Sequence, residues 1–261
     1  MFKKITIIVI TTLALTLNVN ASSDGELLLK KNDPSEVKDC FEKINRATFA
    51  FNKALDGVIF QPVASVYKKF PSPVKSGVSN SLDNLSNLVT IPNNILQGDF
   101  KSAGINTGRF IVNTTVGILG LVDVAQYVGM PDYEKEDYGQ SLAKAGVGPG
   151  CYVVLPILGP STARDVVGSA VNFVGGDAWY NVTVRNDTHY FSDIDYYSSK
   201  VTGGVDFRAK NYDSIDNLEK NSIDFYASVK SLYLQDRQQK ILNVKRIVDT
   251  QNDGDWEEIE N

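Results

Sequence analysis

The apolar positions Val37, Phe41, Ile44, Thr48, Phe51 and Leu55 recur at steps of four and three, the spacing of a single helical stripe. Just upstream, Asp33-Pro34-Ser35-Glu36 supplies an N-cap, a proline at the first helical position and a glutamate at N3, so the pattern predicts a helix from there to Leu55. As far as Arg46 the opposite face is charged. Beyond it Ala47, Phe49, Ala50, Phe51, Ala54 and Leu55 surround the axis, with Phe49 and Phe51 about 200° apart. A helix end that is apolar all round enters either a protein core or lipid.

Further on, Val74, Val78, Leu82, Leu85 and Val89 form one amphipathic face that ends before Pro92, and Ile91-Pro92 opens a short helix to Gly98. Asp99 caps another helix carrying Phe100, Ala103 and Phe110. On it Gly104 and Gly108, and on its continuation Gly117 and Leu121, have the four-residue spacing that permits close backbone packing. Ile215, Leu218, Ser222, Phe225, Val229 and Leu232 predict a long helix to about Leu242. Residues 127–144 and 176–212 read as polar connections, and strand alternation is confined to short pieces such as Val182 to Val184. The expected fold class is mostly α with irregular Gly/Pro-rich linkers and no internal repeat.

Uncharged stretches interrupt this pattern at Val58 to Tyr67, Phe110 to Val122, Ala145 to Ala163 and Val166 to Gly176. A helix over Phe110 to Val122 would extend only ~20 Å against a hydrocarbon thickness of ~30 Å, so it enters a leaflet without crossing. Ala145 to Ala163 is longer, but Gly146, Gly148, Gly150, Gly159, Pro149, Pro156 and Pro160 forbid one regular helix. On periodicity alone Tyr152 to Leu155 reads as a buried strand or core segment.

The ends have their own composition. Lys3 and Lys4, the apolar run Ile5 to Leu17, and Val19-Asn20-Ala21 make residues 1–21 a secretory signal. No cysteine follows that run, so no lipoprotein anchor is expected there. Residues 22–32 read as a flexible leader, 33–245 as the helical domain, and 246–261 as an acidic solvated tail. Cys40 and Cys151 admit a disulfide in an exported chain, but two buried free thiols are the favoured reading.

With 26 Lys+Arg against 31 Asp+Glu the formal charge is −5, which argues against a nucleic-acid partner. The single histidine, His189, leaves no His-pair metal site, and no metal is expected. Gly139-Gln140-Ser141-Leu142-Ala143 narrowly misses the G-x-S-x-G elbow, with His189 as its distant base, yet Tyr133 to Tyr138 is a charged linker where a strand is needed. Gly146-Val147-Gly148-Pro149-Gly150 lacks the lysine of a phosphate loop, and Pro149 removes a donor. Arg109 and Asp123 bracket one apolar run, and Arg164-Asp165 separates two others. Charges in such settings pair with each other or face water.

Several motifs together resemble the VacJ/MlaA family of outer-membrane phospholipid-removal proteins. They are Phe41-Glu42-Lys43-Ile44-Asn45-Arg46 with Phe49 and Phe51-Asn52; Leu96-Gln97-Gly98-Asp99; Arg109-Phe110; Val122-Asp123-Val124-Ala125; and Tyr138-Gly139-Gln140-Ser141-Leu142 followed by Gly146 to Gly150 and Arg164-Asp165. The resemblance covers roughly residues 33–240. It implies an exported, ring-shaped helical protein of a Gram-negative bacterium, embedded monotopically in the periplasmic leaflet of the outer membrane around an amphipathic channel. Through that channel phospholipids misplaced in the outer leaflet pass to a periplasmic lipid carrier, which feeds an inner-membrane ABC transporter. A trimeric porin is the implied companion, no cofactor is needed, and no enzyme activity is expected.

By motif position, Phe49, Phe51 and Asn52 fall to the channel mouth. Gly146, Gly148 and Gly150 become hinge-like backbone in a mobile loop within Gln126 to Gly150, and Arg109, Asp123, Arg164 and Asp165 structural or headgroup-facing charges. The resemblance also moves residues 145–163 from a soluble core to membrane depth, where irregular backbone survives only if protein covers it or it lines a wet cavity. Lys230 and Asp236 stand where the family has arginine, and Gln61 where a basic residue is frequent. The rival readings are an exported lipid hydrolase using Ser141 and His189, and a porin-associated scaffold that moves no lipid.

Overall fold

The computed structural model describes residues 37–243 apart from Tyr133. The signal sequence, the leader, the Asp33–Glu36 cap and the acidic tail lie outside the described residues. What is described is mostly helical, with one two-stranded antiparallel hairpin.

Helix α1 (Glu42–Leu55) passes through a π-helical turn at Asp56–Phe60 into α2 (Gln61–Lys68). Residues 37–41, expected to be helical, are not. The Lys38 carbonyl accepts the Tyr152 N–H at 2.9 Å, and Cys40 is bonded to Cys151. The disulfide corrects the free-thiol expectation, and it ties this segment to a hairpin 111 residues away.

Helix α3 (Ser72–Leu96) runs unbroken through Pro92, where two helices were expected. Proline removes one ladder bond and costs about 3 kcal/mol in a helix interior, but side-chain bonds grip the residues just beyond it. Asn93 Oδ1 accepts from the Ser141 hydroxyl at 2.6 Å, and Asn94 Oδ1 accepts from Asn106 at 2.8 Å. Asp99 caps α4 (Phe100–Thr115) by accepting the Ser102 N–H.

The chain leaves α4 at Thr115, so the leaflet-entering helix expected over Phe110 to Val122 is half helix and half tight turn. Ile118 (φ 53°), Leu119 (φ 56°) and Gly120 (φ 88°) take the left-handed conformation there. A Cβ at Gly120 would lie 2.6 Å from the Asn84 Cβ, so glycine is required where this turn meets α3. Gly104, by contrast, has open space around it, and Gly108 meets only the Met130 side chain, so the expected backbone packing at that pair does not occur.

Two short helices follow, α5 (Val124–Tyr127) and α6 (Tyr138–Lys144), each capped by the aspartate before it. The hairpin pairs β1 (Tyr152–Leu155) with β2 (Gly159–Thr162) in the register Tyr152↔Thr162 to Leu155↔Gly159. Tyr152 and Val154 are buried with Tyr226 and Leu234 against Val37, Phe49 and Tyr233. Tyr152 to Leu155 is thus the buried strand that periodicity alone predicts, covered by protein. The exposed apolar part of that block is the tip, Ile157 and Leu158.

Thr162 caps α7 (Ala163–Val171), which leads through a π-helical turn to α8 (Ala178–Tyr180). Val182 to Val184 lies in another π-helical turn and forms no strand. The supposed polar connection over 176–212 holds an 18-residue helix, α9 (Asp193–Lys210), started by a Ser192/Asp195 capping box. The long C-terminal helix is in fact two, α10 (Tyr212–Asn221) and α11 (Phe225–Ile241). The break falls at Ser222 (ψ 139°), and Asp224 caps α11 by accepting the Ala227 N–H at 3.1 Å.

Candidate functional site

Burial in this protein is inverted. Among the described residues 20 buried ones are polar or charged and 9 are apolar, while Val58, Ile59, Val63, Val66, Ile118, Leu119, Ile157, Leu158, Phe173 and Val174 stand exposed. Each large aliphatic side chain left in water forgoes roughly 1.5–3 kcal/mol, a distribution suited to a hydrocarbon surrounding.

Helix α3 shows how the sequence does this. Its apolar face, Val74 to Val89, is exposed or half-buried. The opposite face, Gly77, Asn84, Asn87, Thr90 and Asn94, advances by seven, three, three and four and is buried. Against it α4 sets Asn106, donating to Asn94 Oδ1 at 2.8 Å, and Thr114, whose Oγ1 accepts from Asn84 at 2.8 Å. The seam is incompletely satisfied: the amide oxygens of Asn84 and Asn87 are buried without a donor. Such orphans are uncommon in a settled interior.

Charged groups extend the polar interior. Arg109 is buried and donates to Asp123 Oδ2 at 2.7 Å and to the Pro131 carbonyl at 2.8 Å. Asn113 donates to the other Asp123 oxygen and accepts the Ala125 N–H. Arg208 joins Asp56 to Asp216, tying α9 to the start of the π-helical turn and to α10.

The densest group surrounds Arg237 on α11. It makes a two-bond fork with Asp137, at 2.6 Å each, and a second with Asp165 at 2.8 and 3.0 Å. Tyr233 donates to Asp165 at 2.8 Å, and Arg164 does so at 3.1 Å. Burial alone pushes both carboxyls up, but the Arg237 bonds outweigh it and hold each below the ordinary carboxylate value. Nearby Glu136 goes the other way, burial prevailing over its bond from Gln97, so its carboxyl is raised.

The described interior is thus rich in amides and ion pairs, and many large apolar side chains are exposed. A family model described as MlaA lipoprotein matches residues 37–240. The chain belongs to the MlaA lipoprotein family. An Escherichia coli K12 MlaA, described as an intermembrane phospholipid transport system lipoprotein, is 32% identical over 228 residues, covering 85% of this chain and 84% of its own. A Rickettsia prowazekii protein is 36% identical over 203 residues, 77% of each chain. A solved structure from work on the structural basis for maintenance of bacterial outer membrane lipid asymmetry is 32% identical with a TM-score of 0.64, over 78% of this chain and 99% of its own.

Within this MlaA fold the residues singled out by motif fall at several places. Phe49 packs edge-on against Phe225 and Tyr226 at 5.3 and 5.4 Å, and Phe51 is exposed. Asn52 grips the hairpin, donating to the Leu155 carbonyl at 2.9 Å and accepting the Ile157 N–H at 2.7 Å. Gly146 (φ 90°) closes the end of α6, and Gly150 (φ 67°) stands between the Pro149 and Cys151 carbonyls, which accept the Arg164 and Ala163 N–H groups of α7. Gly148 lies between those two anchors with open space around it. Arg109 meets Asp123, and Arg164 meets Asp165, but they belong to separate clusters.

The hydrolase pair is not assembled. The Ser141 hydroxyl is held by Asn93 and Gln97 of and just beyond α3, while His189 is exposed with its ring against Tyr190. Sequence reasoning missed Arg237, which stands one residue after the Asp236 flagged as a lost arginine. It also missed the asparagine face of α3, although the spacing Asn80, Asn84, Asn87, Asn94 was there to find.

Proposed function

We propose that this chain conducts phospholipids passively from the outer leaflet of an outer membrane toward the periplasm, maintaining lipid asymmetry. The observation that carries the reading is the inverted burial, a polar and charged interior within an apolar exterior, in a chain of the MlaA family. In this reading the helices form a ring seated monotopically in the periplasmic leaflet. A trimeric porin sits beside it, and a periplasmic carrier receives the lipid for an inner-membrane ABC transporter. No helix among the described residues is long and apolar enough to cross a membrane. Retention then rests on exposed side chains such as Ile118, Leu119, Ile157 and Leu158.

No covalent chemistry is assigned to Ser141, whose hydroxyl serves the α3–α6 contact. The test is surface-exposed phospholipid in cells lacking this protein. The expected result is a rise that the wild-type chain and Ser141→Ala both reverse. Unchanged surface phospholipid in the deletion would overturn the transport reading. Fatty-acid release by the purified chain, abolished in Ser141→Ala, would replace it with hydrolysis.

A further inference from the structure

A cavity of about 360 Å³ opens among α2, α3 and α9. Lys68, Lys75, Ser76, Asn80 and Lys210 line it together with buried Ser79 and Asp206. Both acids in its wall are already engaged. Asp206 accepts from the Ser79 hydroxyl at 2.9 Å and the Tyr67 hydroxyl at 3.0 Å, and pairs with Lys210 at 2.9 Å. Asp83 pairs with Lys135 at 2.6 Å.

The remaining cations are less committed. Lys68 pairs with Asp213, whose carboxylate side chain is 75% exposed, and exposed pairs of that kind are readily exchanged. The Lys75 ammonium donates to the Lys68 carbonyl at 3.1 Å and makes no ion pair among the described residues. Ser76 adds a hydroxyl on the exposed side.

The cavity also has a direction. Along α3 its residues Ser76 and Asn80 continue as Asn84, Asn87 and Asn94, steps of four, four, three and seven that keep to one helical face. Asn84 and Asn87 are among the described side chains whose buried oxygens lack a donor. The cavity is therefore the cationic end of a polar stripe that leads inward.

Ammonium groups and a free hydroxyl around a volume of this size suit a phosphate oxyanion carrying a small substituent. The geometry points to this cavity as a phosphate-binding site that takes the phosphodiester of a phospholipid headgroup, with Lys75 and Lys68 as its cationic ligands. The headgroup assignment rests on the phospholipid-transport reading. Free inorganic phosphate shares the chemistry and is separated from it by experiment.

The purified full chain in detergent is titrated with dihexanoylphosphatidylglycerol, with dihexanoylglycerol, which has the same chains and no phosphate, and with inorganic phosphate. Lys75→Gln should weaken the phosphatidylglycerol interaction about tenfold, the loss of one charge-assisted bond, and Lys68→Gln/Lys75→Gln should weaken it further. Lys75→Arg should retain it, as should Lys101→Gln on α4, away from the cavity. Dihexanoylglycerol should show no difference between wild type and the double variant.

Unchanged phosphatidylglycerol affinity in the double variant would overturn the site. Inorganic phosphate binding as tightly as the lipid, with the same loss in the variant, would overturn the headgroup assignment in favour of free phosphate. The transport reading fails independently. If deletion of the protein leaves surface phospholipid unchanged while Lys75→Gln still loses phosphate affinity, transport falls and the site stands. If deletion raises surface phospholipid while the double variant binds normally, the site falls and transport stands.

Discussion

Replacing Arg237 with methionine removes both forks at once: Asp137 loses its ion pair, while Asp165 keeps only Arg164 and the Tyr233 hydroxyl. Arg237 and Asp165 have side chains only 11% and 8% exposed, so water replaces little at that pair, whereas Asp137, 41% exposed, regains water in part. Stripping one partner from a buried ion pair costs about 3–5 kcal/mol, and for a domain of this size each kcal/mol moves the unfolding midpoint about 2–4 °C. A fall of roughly 10 °C is expected for Arg237→Met in detergent at pH 7.5, with a smaller one for Arg237→Lys, which keeps the charge but not the fork.

The pH dependence discriminates further. In the wild type both carboxyls lie below their unfolded values, so their stabilisation is present above the unfolded carboxylate range near pH 4 and is lost as pH falls through the folded values. In Arg237→Met burial prevails at Asp137, and Asp165 loses its largest lowering partner, so both folded values rise relative to wild type and acidification relieves the pair. The gap between variant and wild type should therefore narrow between pH 7.5 and pH 5. A midpoint within 2 °C of wild type at pH 7.5, or a gap that widens on acidification, would refute the reasoning. Thermal unfolding followed by circular dichroism at both pH values is sufficient.

Four further changes test other parts of the fold. Cys40→Ser opens a loop of 111 residues, for which the chain-entropy model gives a loss of about 4–5 kcal/mol; unfolding with and without dithiothreitol should bring wild type down to the variant and leave the variant unmoved. Gly120→Ala forces a Cβ against Asn84 in left-handed backbone and should cost about 2–4 kcal/mol, whereas Gly104→Ala, on open helix surface, should be neutral or stabilise by up to about 1 kcal/mol. Gly148→Val has room to fold, so an unchanged midpoint with altered surface phospholipid is expected; normal outer-leaflet composition would remove Gly148 from the hinge.

Helix positions were legible wherever a cap or an apolar stripe marked them, as at α4 with Asp99 and along α1 from Glu42. The errors share a cause. Reading α3 from Val74 to Val89 assumes that apolar residues point inward, but here the inward face is Asn84, Asn87, Thr90 and Asn94. Helix α9 was taken for a linker because its buried positions include Asp206 and Arg208, which carry no hydrophobic signal. Arg237, Asp137 and Asp165 lie 100 and 72 residues apart in sequence, and no local pattern announces a partner at that distance. The same holds for Cys40 and Cys151. Charge pairing was legible at Arg109 and Asp123 because both bracket one apolar run.

The contact between α1 and the hairpin shows how a polar side chain can do the work of a strand. Asn45 donates to the Tyr152 carbonyl at 3.0 Å and accepts the Val154 N–H at 2.9 Å. Asn52 makes the same pair of bonds at the turn that follows β1, with the Leu155 carbonyl and the Ile157 N–H. Seven helical residues rise about 10.5 Å, which carries the second amide from the strand to the turn, where Ile157 takes a left-handed φ of 67°. A carboxamide has the donor and acceptor of a peptide group, so Asn45 satisfies the edge of β1 and Asn52 the backbone where the strand ends. The Lys38 bond to Tyr152 and the Cys40–Cys151 bridge close the other end. The exposed tip, Ile157 and Leu158, is thus carried on a hairpin fastened along its length to α1. Asn52 acts on whatever surrounds that tip through its hold on the backbone.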